Sequence, residues 1–245
     1  FRPGTMESLN LGCDALRTIN PRLIYMAISG FGTEGPLRRA PAYDPIIQAH
    51  SGMAATQGGD DSPAFIRSLL CDKITAYTAC QAVTSALFAR ERNGEGQLID
   101  LSMLDSGLFF MFPDGFQNHA LLDEDAIPGG MLIDILYDLT LTKDGGITVA
   151  AANQEMQGRM LKAIGLLHLL GDERFSTMQK LVENLHIFRG LVAEKCLEYT
   201  SDELLVLLRE VEVPCAKCLS RDEVLAQKQL SANDSIAEVD HPYLG

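Results

Sequence analysis

Leu23-Ile24-Tyr25-Met26-Ala27-Ile28 is the stretch on which the reading of the fold turns. Six consecutive apolar residues follow Asn20-Pro21-Arg22, and the run closes on Ser29-Gly30-Phe31-Gly32. A strand with one wet face alternates apolar and polar residues, whereas a strand covered on both faces reads as a continuous apolar run, the habit of parallel sheets. Upstream, Asp14 to Ile19 predicts a short helix stopped by Asn20-Pro21. Downstream, Thr75 to Arg92 carries Ala76, Ala79, Cys80, Val83 and Leu87 at helical spacing, ends on Arg90-Glu91-Arg92 and breaks at Gly94-Glu95-Gly96. Gln97 to Ser102 then alternates like a strand, and a second apolar helix follows around Asp105–Phe112. Helix, strand, helix, strand, helix in this order predicts α/β layering.

After Ile127-Pro128-Gly129-Gly130 the pattern changes. Ile135 to Thr142 and Ile147 to Ala152 flank Lys143-Asp144-Gly145-Gly146, a hairpin signal. Asn153 is placed to cap a helix ending at Gly165, and Thr200-Ser201-Asp202-Glu203 is a capping-box pattern ahead of Leu204, Leu205, Leu207 and Leu208. Val211 to Cys218 and Ser235 to Val239 read as short strands. Two domains are therefore expected, 1–130 as α/β and 131–245 as a smaller α+β domain, each with its own core.

The composition, 47 % hydrophobic and 22 % charged with no low-complexity tract, excludes a disordered, collagen-like or coiled-coil chain. Twenty Lys and Arg against 33 Asp and Glu give a net charge of −13, which argues against nucleic acid or anionic lipid as a partner. Residues 1–120 hold nine basic and twelve acidic groups, so most of the acidity lies in the second half. An anionic ligand is better accommodated in the first. No segment approaches the ~18 uninterrupted apolar residues of a membrane span, and no basic start leads into an apolar stretch, so the expected location is the cytoplasm. Phe1-Arg2-Pro3-Gly4 is a turn-like opening without Met, which predicts a chain cut from something longer.

Six cysteines are too sparse for a disulfide scaffold, and Cys215-Ala-Lys-Cys218 lacks the second pair a zinc knuckle requires. The five histidines have no i, i+3 or i, i+4 pairing, so no metal is expected. Gly30-Phe31-Gly32-Thr33-Glu34-Gly35 matches the dinucleotide pattern GxGxxG, but Pro36 follows at once and no apolar helix opens behind it. A tight loop that brings backbone amides to some other ligand is the better reading. Asp72 stands between Ser68-Leu69-Leu70-Cys71 and a helix expected to begin near Lys73. One reading makes it a helix cap; the other makes it a carboxylate nucleophile favoured by the field of the helix N-terminus.

Six motifs in order extend the reading: Phe1-Arg2-Pro3-Gly4, Asn20 to Tyr25, Ser29 to Gly32 with Gly35-Pro36, Pro41-Ala42-Tyr43-Asp44, Asp72 with its helix to Arg92, and Gly94-Glu95-Gly96-Gln97. In these the sequence resembles the class III CoA-transferases of the CaiB/BaiF type, and more loosely it does so through Asp144-Gly145 and Val213-Pro214 to His241-Pro242-Tyr243-Leu244-Gly245. The resemblance implies a Rossmann-like large domain with a parallel sheet plus a smaller α+β domain, without the family's N-terminal βα unit and its C-terminal return. It implies that Asp72 attacks an acyl-CoA thioester, giving a mixed anhydride and then an aspartyl-CoA thioester from which an acceptor acid takes CoA. Phe1, Arg2, Ala40, Pro41, Ala42 and Tyr43 would contact CoA, and Gly30, Phe31 and Gly32 would offer oxyanion donors. CoA is substrate, with no permanently bound cofactor, and the implied assembly is an interlocked homodimer.

The sequence departs from the family at Ser8, where many members have Arg, and at Ala76, where Gly is common. The alternative within the fold is an α-methylacyl-CoA racemase, which needs a second acid/base; its histidine would stand where this chain has Tyr43. A non-catalytic CoA-binding subunit is the alternative from another class.

Overall fold

Strand β1, Tyr25–Ser29, pairs in parallel with β2, Leu98–Ser102, in the register Tyr25↔Leu98 to Ser29↔Ser102. This is seen in a computed structural model that describes residues 1–122, 139–151 and 153–243. The chain divides into two compact units, Phe1–Met131 and Leu132–Gly245.

In the first unit, α1 (Thr5–Ser8) and α2 (Cys13–Ile19) precede β1. The crossover that a parallel pair demands runs through α3 (Asp44–His50), α4 (Met53–Gly58) and α5 (Leu70–Asn93), and α6 (Met103–Gly115) follows β2 directly. The parallel reading of Leu23–Ile28 holds, but burial on both faces does not. Ile28 is 44 % exposed and, among the described residues, β1 pairs with β2 alone. The faces of a strand are covered by what packs on the sheet, and Ile28 borders an open cleft instead.

Helix α5 stops where the sequence places its end. Gly94 takes φ +80 and its N–H donates to Arg90 O at 2.8 Å, the left-handed cap that glycine adopts freely. Its beginning is earlier than the apolar spacing suggests, at Leu70, so Asp72 lies inside the first turn. Helix α6 opens on the buried Ser102, whose hydroxyl accepts from Asp105 N–H at 2.9 Å. Ile47, Met53, Cys71 and Ile74 form the buried apolar cluster of this unit, with Phe31, Ala42, Ile66, Leu70 and Met103 packed against it.

The second unit is built on a three-stranded antiparallel sheet of order β3-β4-β5: Thr140–Leu141, Gly146–Val149 and Cys215–Lys217. The hairpin around Lys143-Asp144-Gly145 is present; Pro128-Gly129-Gly130 and Ile135 to 138 lie outside the described residues. Asn153 Oδ1 accepts from Met156 N–H at 2.8 Å to start α7, Gln154–Ala163, and Gly165 follows it at φ +80. Helices α8 (Met178–Glu183), α9 (Leu185–Cys196) and α10 (Ser201–Glu210) come next, α10 opening on the complete Thr200–Glu203 capping box. Short helices α11 (Arg221–Leu225) and α12 (Lys228–Ala232) end the regular structure.

Ser235 to Val239 is no strand. Ile236 and Val239 are exposed, and an alternating pattern without a neighbour to pair with stays irregular. No described helix is long and apolar enough to cross a membrane.

Candidate active site

The glycine loop leaves the end of β1 under tight control. The buried Ser29 hydroxyl accepts from Gly32 N–H at 3.0 Å, Gly30 O accepts from Leu104 N–H at 3.0 Å, and Thr33 Oγ1 donates to Asp100 Oδ2 at 2.6 Å. Gly32 sits at φ +92, in the left-handed region. Gly30 is glycine for a different reason: a Cβ there would collide with the Cβ of Ala42. Two loops separated by six residues, 30–33 and 40–43, are thereby pressed together.

Their meeting point is the floor of a cleft of about 330 Å³. Phe1, Arg2, Gly30, Ala40, Pro41, Ala42 and Tyr43, all named from the sequence, line it together with Pro3, Ile28, Ser29, Arg38 and Met103. Phe31 and Gly32 are not in its lining. Phe31 turns into the apolar cluster and meets the His50 ring edge-on, with centroids 5.2 Å apart. Arg38 was not named from the sequence, although Arg38-Arg39 immediately before Ala40 is a signal that could have found it. Among the described residues, neither the Arg2 nor the Arg38 side chain has an ion pair or hydrogen bond, so two free cations stand on one cleft. That is the electrostatic character a phosphorylated ligand requires.

Asp72 is not in the lining either. It is the third residue of α5, the capping position belongs to Leu69, and the helix-cap reading of Asp72 is corrected on that ground. Its carboxylate is exposed and accepts no hydrogen bond among the described residues. What ties it to the cleft is the backbone: Asp72 N–H donates to Asp44 Oδ2 at 3.0 Å, and Asp44 directly follows Tyr43. The same junction is apolar as well, since Ala42 and Phe31 pack against the cluster that holds Cys71.

Cys71 does not compete as a nucleophile. Burial pushes its thiol up to about 11, and the nearby Asp44 and Asp72 add to the shift, so it stays protonated at neutral pH. Among the described residues no cluster of three or more His, Cys, Asp or Glu could hold a metal ion.

A family model described as CoA-transferase family III matches residues 1–245. The chain belongs to that family. As a member of CoA-transferase family III it is 32 % identical over 241 residues to an acyl-CoA transferase of Fusarium pseudograminearum, covering 98 % of this chain and 53 % of that protein. It is 33 % identical over 251 residues to succinyl-CoA–D-citramalate CoA-transferase of Chloroflexus aurantiacus, covering 100 % and 62 %. A crystal structure of a CaiB/BaiF family protein from Brucella suis superposes with a TM-score of 0.77 at 29 % identity, covering 95 % of this chain and 62 % of that one. The mixed α/β fold with its parallel strand pair is that of the CaiB/BaiF neighbours. The chain spans between about half and two thirds of the length of these relatives.

Proposed function

We propose that this protein transfers CoA from an acyl-CoA to a carboxylic acid, with Asp72 as nucleophile. The observation that carries the reading is the cleft with two unpartnered arginines, Arg2 and Arg38, on a wall tied through Asp44 to an exposed carboxylate that no structural bond uses. The arginines suit the phosphates of CoA, and the Ala40–Tyr43 wall offers an apolar and aromatic surface for the rest of the carrier.

An oxygen of Asp72 attacks the thioester carbonyl carbon, and the C–S bond breaks to give an acyl-aspartyl anhydride and CoA thiolate. The thiolate attacks the Asp72 carbonyl, expelling the donor's carboxylate and leaving an aspartyl-CoA thioester. The acceptor carboxylate attacks that thioester and releases the thiolate again. Attack of the thiolate on the acceptor's acyl carbon then yields the new acyl-CoA and frees Asp72. Of the Gly30–Gly32 loop, the Gly30 amide is the proposed donor to the oxyanions formed on the way, because Gly30 lines the cleft whereas Gly32 N–H is held by Ser29 and Phe31 turns into the apolar cluster. The Chloroflexus relative is named for two dicarboxylic acids, so dicarboxylates are the first donors and acceptors to assay. The interlocked homodimer is part of the same proposal, with the exposed aromatic side chains Tyr77, Phe88, Phe109 and Phe110 of α5 and α6 as surface for a second copy.

The test uses the full-length protein with a panel of acyl-CoA esters and carboxylic acids. Hydroxylamine should trap an Asp72-linked acyl group, and Asp72→Ala should abolish exchange of labelled CoA. Full exchange by Asp72→Ala would defeat the reading. Tyr43 stands where the racemase histidine would, so that position offers no imidazole to exchange a proton near neutral pH, and a 2-methylacyl-CoA in heavy water should take up no deuterium at the α-carbon. Rapid, Asp72-dependent uptake without an acceptor acid would establish the racemase instead. Tight CoA binding with neither reaction would mark a binding subunit.

A further inference from the structure

Helix α5 opens without a cap of its own. Leu69 holds the capping position and has no side-chain acceptor, and the first amide with an intrahelical partner is that of Lys73, which donates to Leu69 O at 3.2 Å. The first amides of any α-helix lack such partners, and a Ser, Thr, Asp or Asn at the cap normally accepts from the third residue. Here the third residue is Asp72, and its amide is met by a side chain 28 residues earlier, that of Asp44.

Asp44 is only 2 % exposed and Gln48, one turn further along α3, only 1 %. Asp44 Oδ1 accepts from Gln48 Nε2 at 2.6 Å while its Oδ2 accepts from the Asp72 amide. Gln48 Nε2 donates further to Ile66 O and Ser68 O, each at 3.1 Å, and Gln48 Oε1 accepts from Ile66 N–H at 3.0 Å. Every polar side-chain atom of the buried pair is engaged, and apart from the bond within the pair every partner is backbone between Ile66 and Asp72. A cap alone would be supplied more simply by Ser or Asp at position 69, without burying a carboxyl and an amide. What the longer route adds is a fixed relation between Asp72 and the Ala40–Tyr43 wall, which ends one Cα step of about 3.8 Å before Asp44.

We propose that Asp44 and Gln48 are positioning residues for Asp72, holding its backbone, and so the reach of its carboxylate, at a set distance from the bound thioester. The proposal rests on the reading of Asp72 as nucleophile. A displacement of about 1 Å at a reacting group lowers rate roughly 100-fold. Asp44→Asn turns one of the two accepting oxygens into an N–H donor that faces either the Asp72 amide or the Gln48 amide. Gln48→Met keeps the length and removes every bond to Ile66, Ser68 and Asp44.

The experiment compares wild type, Asp44→Asn, Gln48→Met and Asp72→Ala in the full-length protein, using the acyl-CoA and acid pair found best in the panel. Both positioning variants should lose roughly 10- to 100-fold in kcat with KM for acyl-CoA within about twofold, because the cleft lining is untouched. Hydrogen exchange of the Asp72 amide, measured without substrate, should be slow in wild type and at least about tenfold faster in both variants. Unchanged kcat in either variant, beside an inactive Asp72→Ala, overturns the positioning role and leaves the nucleophile standing. A raised KM at unchanged kcat overturns it too. Activity in Asp72→Ala removes the reading itself, and the positioning role with it. Where neither positioning variant folds, the wild-type amide decides: slow exchange supports the bond, and exchange as fast as in an uncapped first turn overturns it.

Discussion

The two units bury different things. Among the described residues of Leu132–Gly245 twelve buried side chains, among them Ile147, Leu161, Ile164, Leu204 and Leu208, form one apolar cluster, and the buried Thr142 and Ser201 hydroxyls satisfy each other at 2.7 Å. Among the described residues of Phe1–Met131 the apolar cluster has four buried members, and Asp44, Gln48, Ser51, Thr75, Ser102 and Ser106 are buried in the same unit. Large apolar groups of the first unit stay outside, Phe109 at 83 % exposure and Tyr77 at 73 %. A core made of hydrocarbon stabilises without caring greatly about sub-ångström placement. Buried polar groups contribute less net stability, but each fixes a direction and a distance. Among the described residues, the unit that carries the cleft buries more polar groups, and it alone buries a carboxyl and a side-chain amide, as expected where a carboxylate must be held against a large ligand.

The largest test of this contrast is on stability. Leu204 is fully buried in the second unit, and Leu204→Ala should cost about 2–5 kcal/mol. The exposed Asp72→Ala should stay within about 0.5 kcal/mol of wild type while losing activity. Denaturant unfolding, with hydrogen exchange in α10 to assign the change, reads both. A cost below about 1 kcal/mol for Leu204→Ala would break the comparison.

A smaller effect sharpens it. Thr200→Ala removes the local cap of α10, whereas the cap of α5 comes from a distant residue. The expected loss is about 1 kcal/mol, with faster exchange confined to the first turn of α10.

The smallest effect depends on pH. Arg174 holds Asp172 down at about 2, Lys217 does the same for Glu223, the Ser201 amide lowers Asp144, and the Thr200 amide lowers Glu203. A carboxylate whose folded value is depressed contributes stability above its unfolded value and loses it as pH falls through the folded one. The second unit should therefore weaken from near the ordinary values of 3.8 for Asp and 4.5 for Glu down to about 2. Asp144, Glu203 and Glu223 are exposed and Asp172 is half-buried, so added salt should flatten the dependence. Equal unfolding midpoints at pH 7 and 2.5 would contradict it, and Asp172→Asn should remove part of the slope.

Local signals were legible in the sequence. The Lys143–Gly146 turn, the Thr200–Glu203 box and the Gly94 stop each act over a few residues, and each stands where its pattern places it. The family was legible too, because its motifs are short and ordered along the chain. Misread features depended on distant partners. Ser235 to Val239 alternates without a strand to join, and Leu23–Ile28 is less covered than its composition implies. Phe31 belongs to the apolar cluster because Ile47, Met53 and Cys71 meet beneath it, which no spacing along the chain reveals.

The start of α5 shows where the division falls. Apolar period, glycine and charge determined by themselves that a long helix runs to Asn93, since those signals are carried by side chains within one or two turns. That it begins at Leu70, with Asp72 in its first turn and uncapped by any near neighbour, was decided by the tertiary structure alone. An orphan amide takes whichever acceptor folding brings within about 3 Å, and the carboxyl of Asp44 arrives there only once α3 and α5 pack on the same apolar cluster.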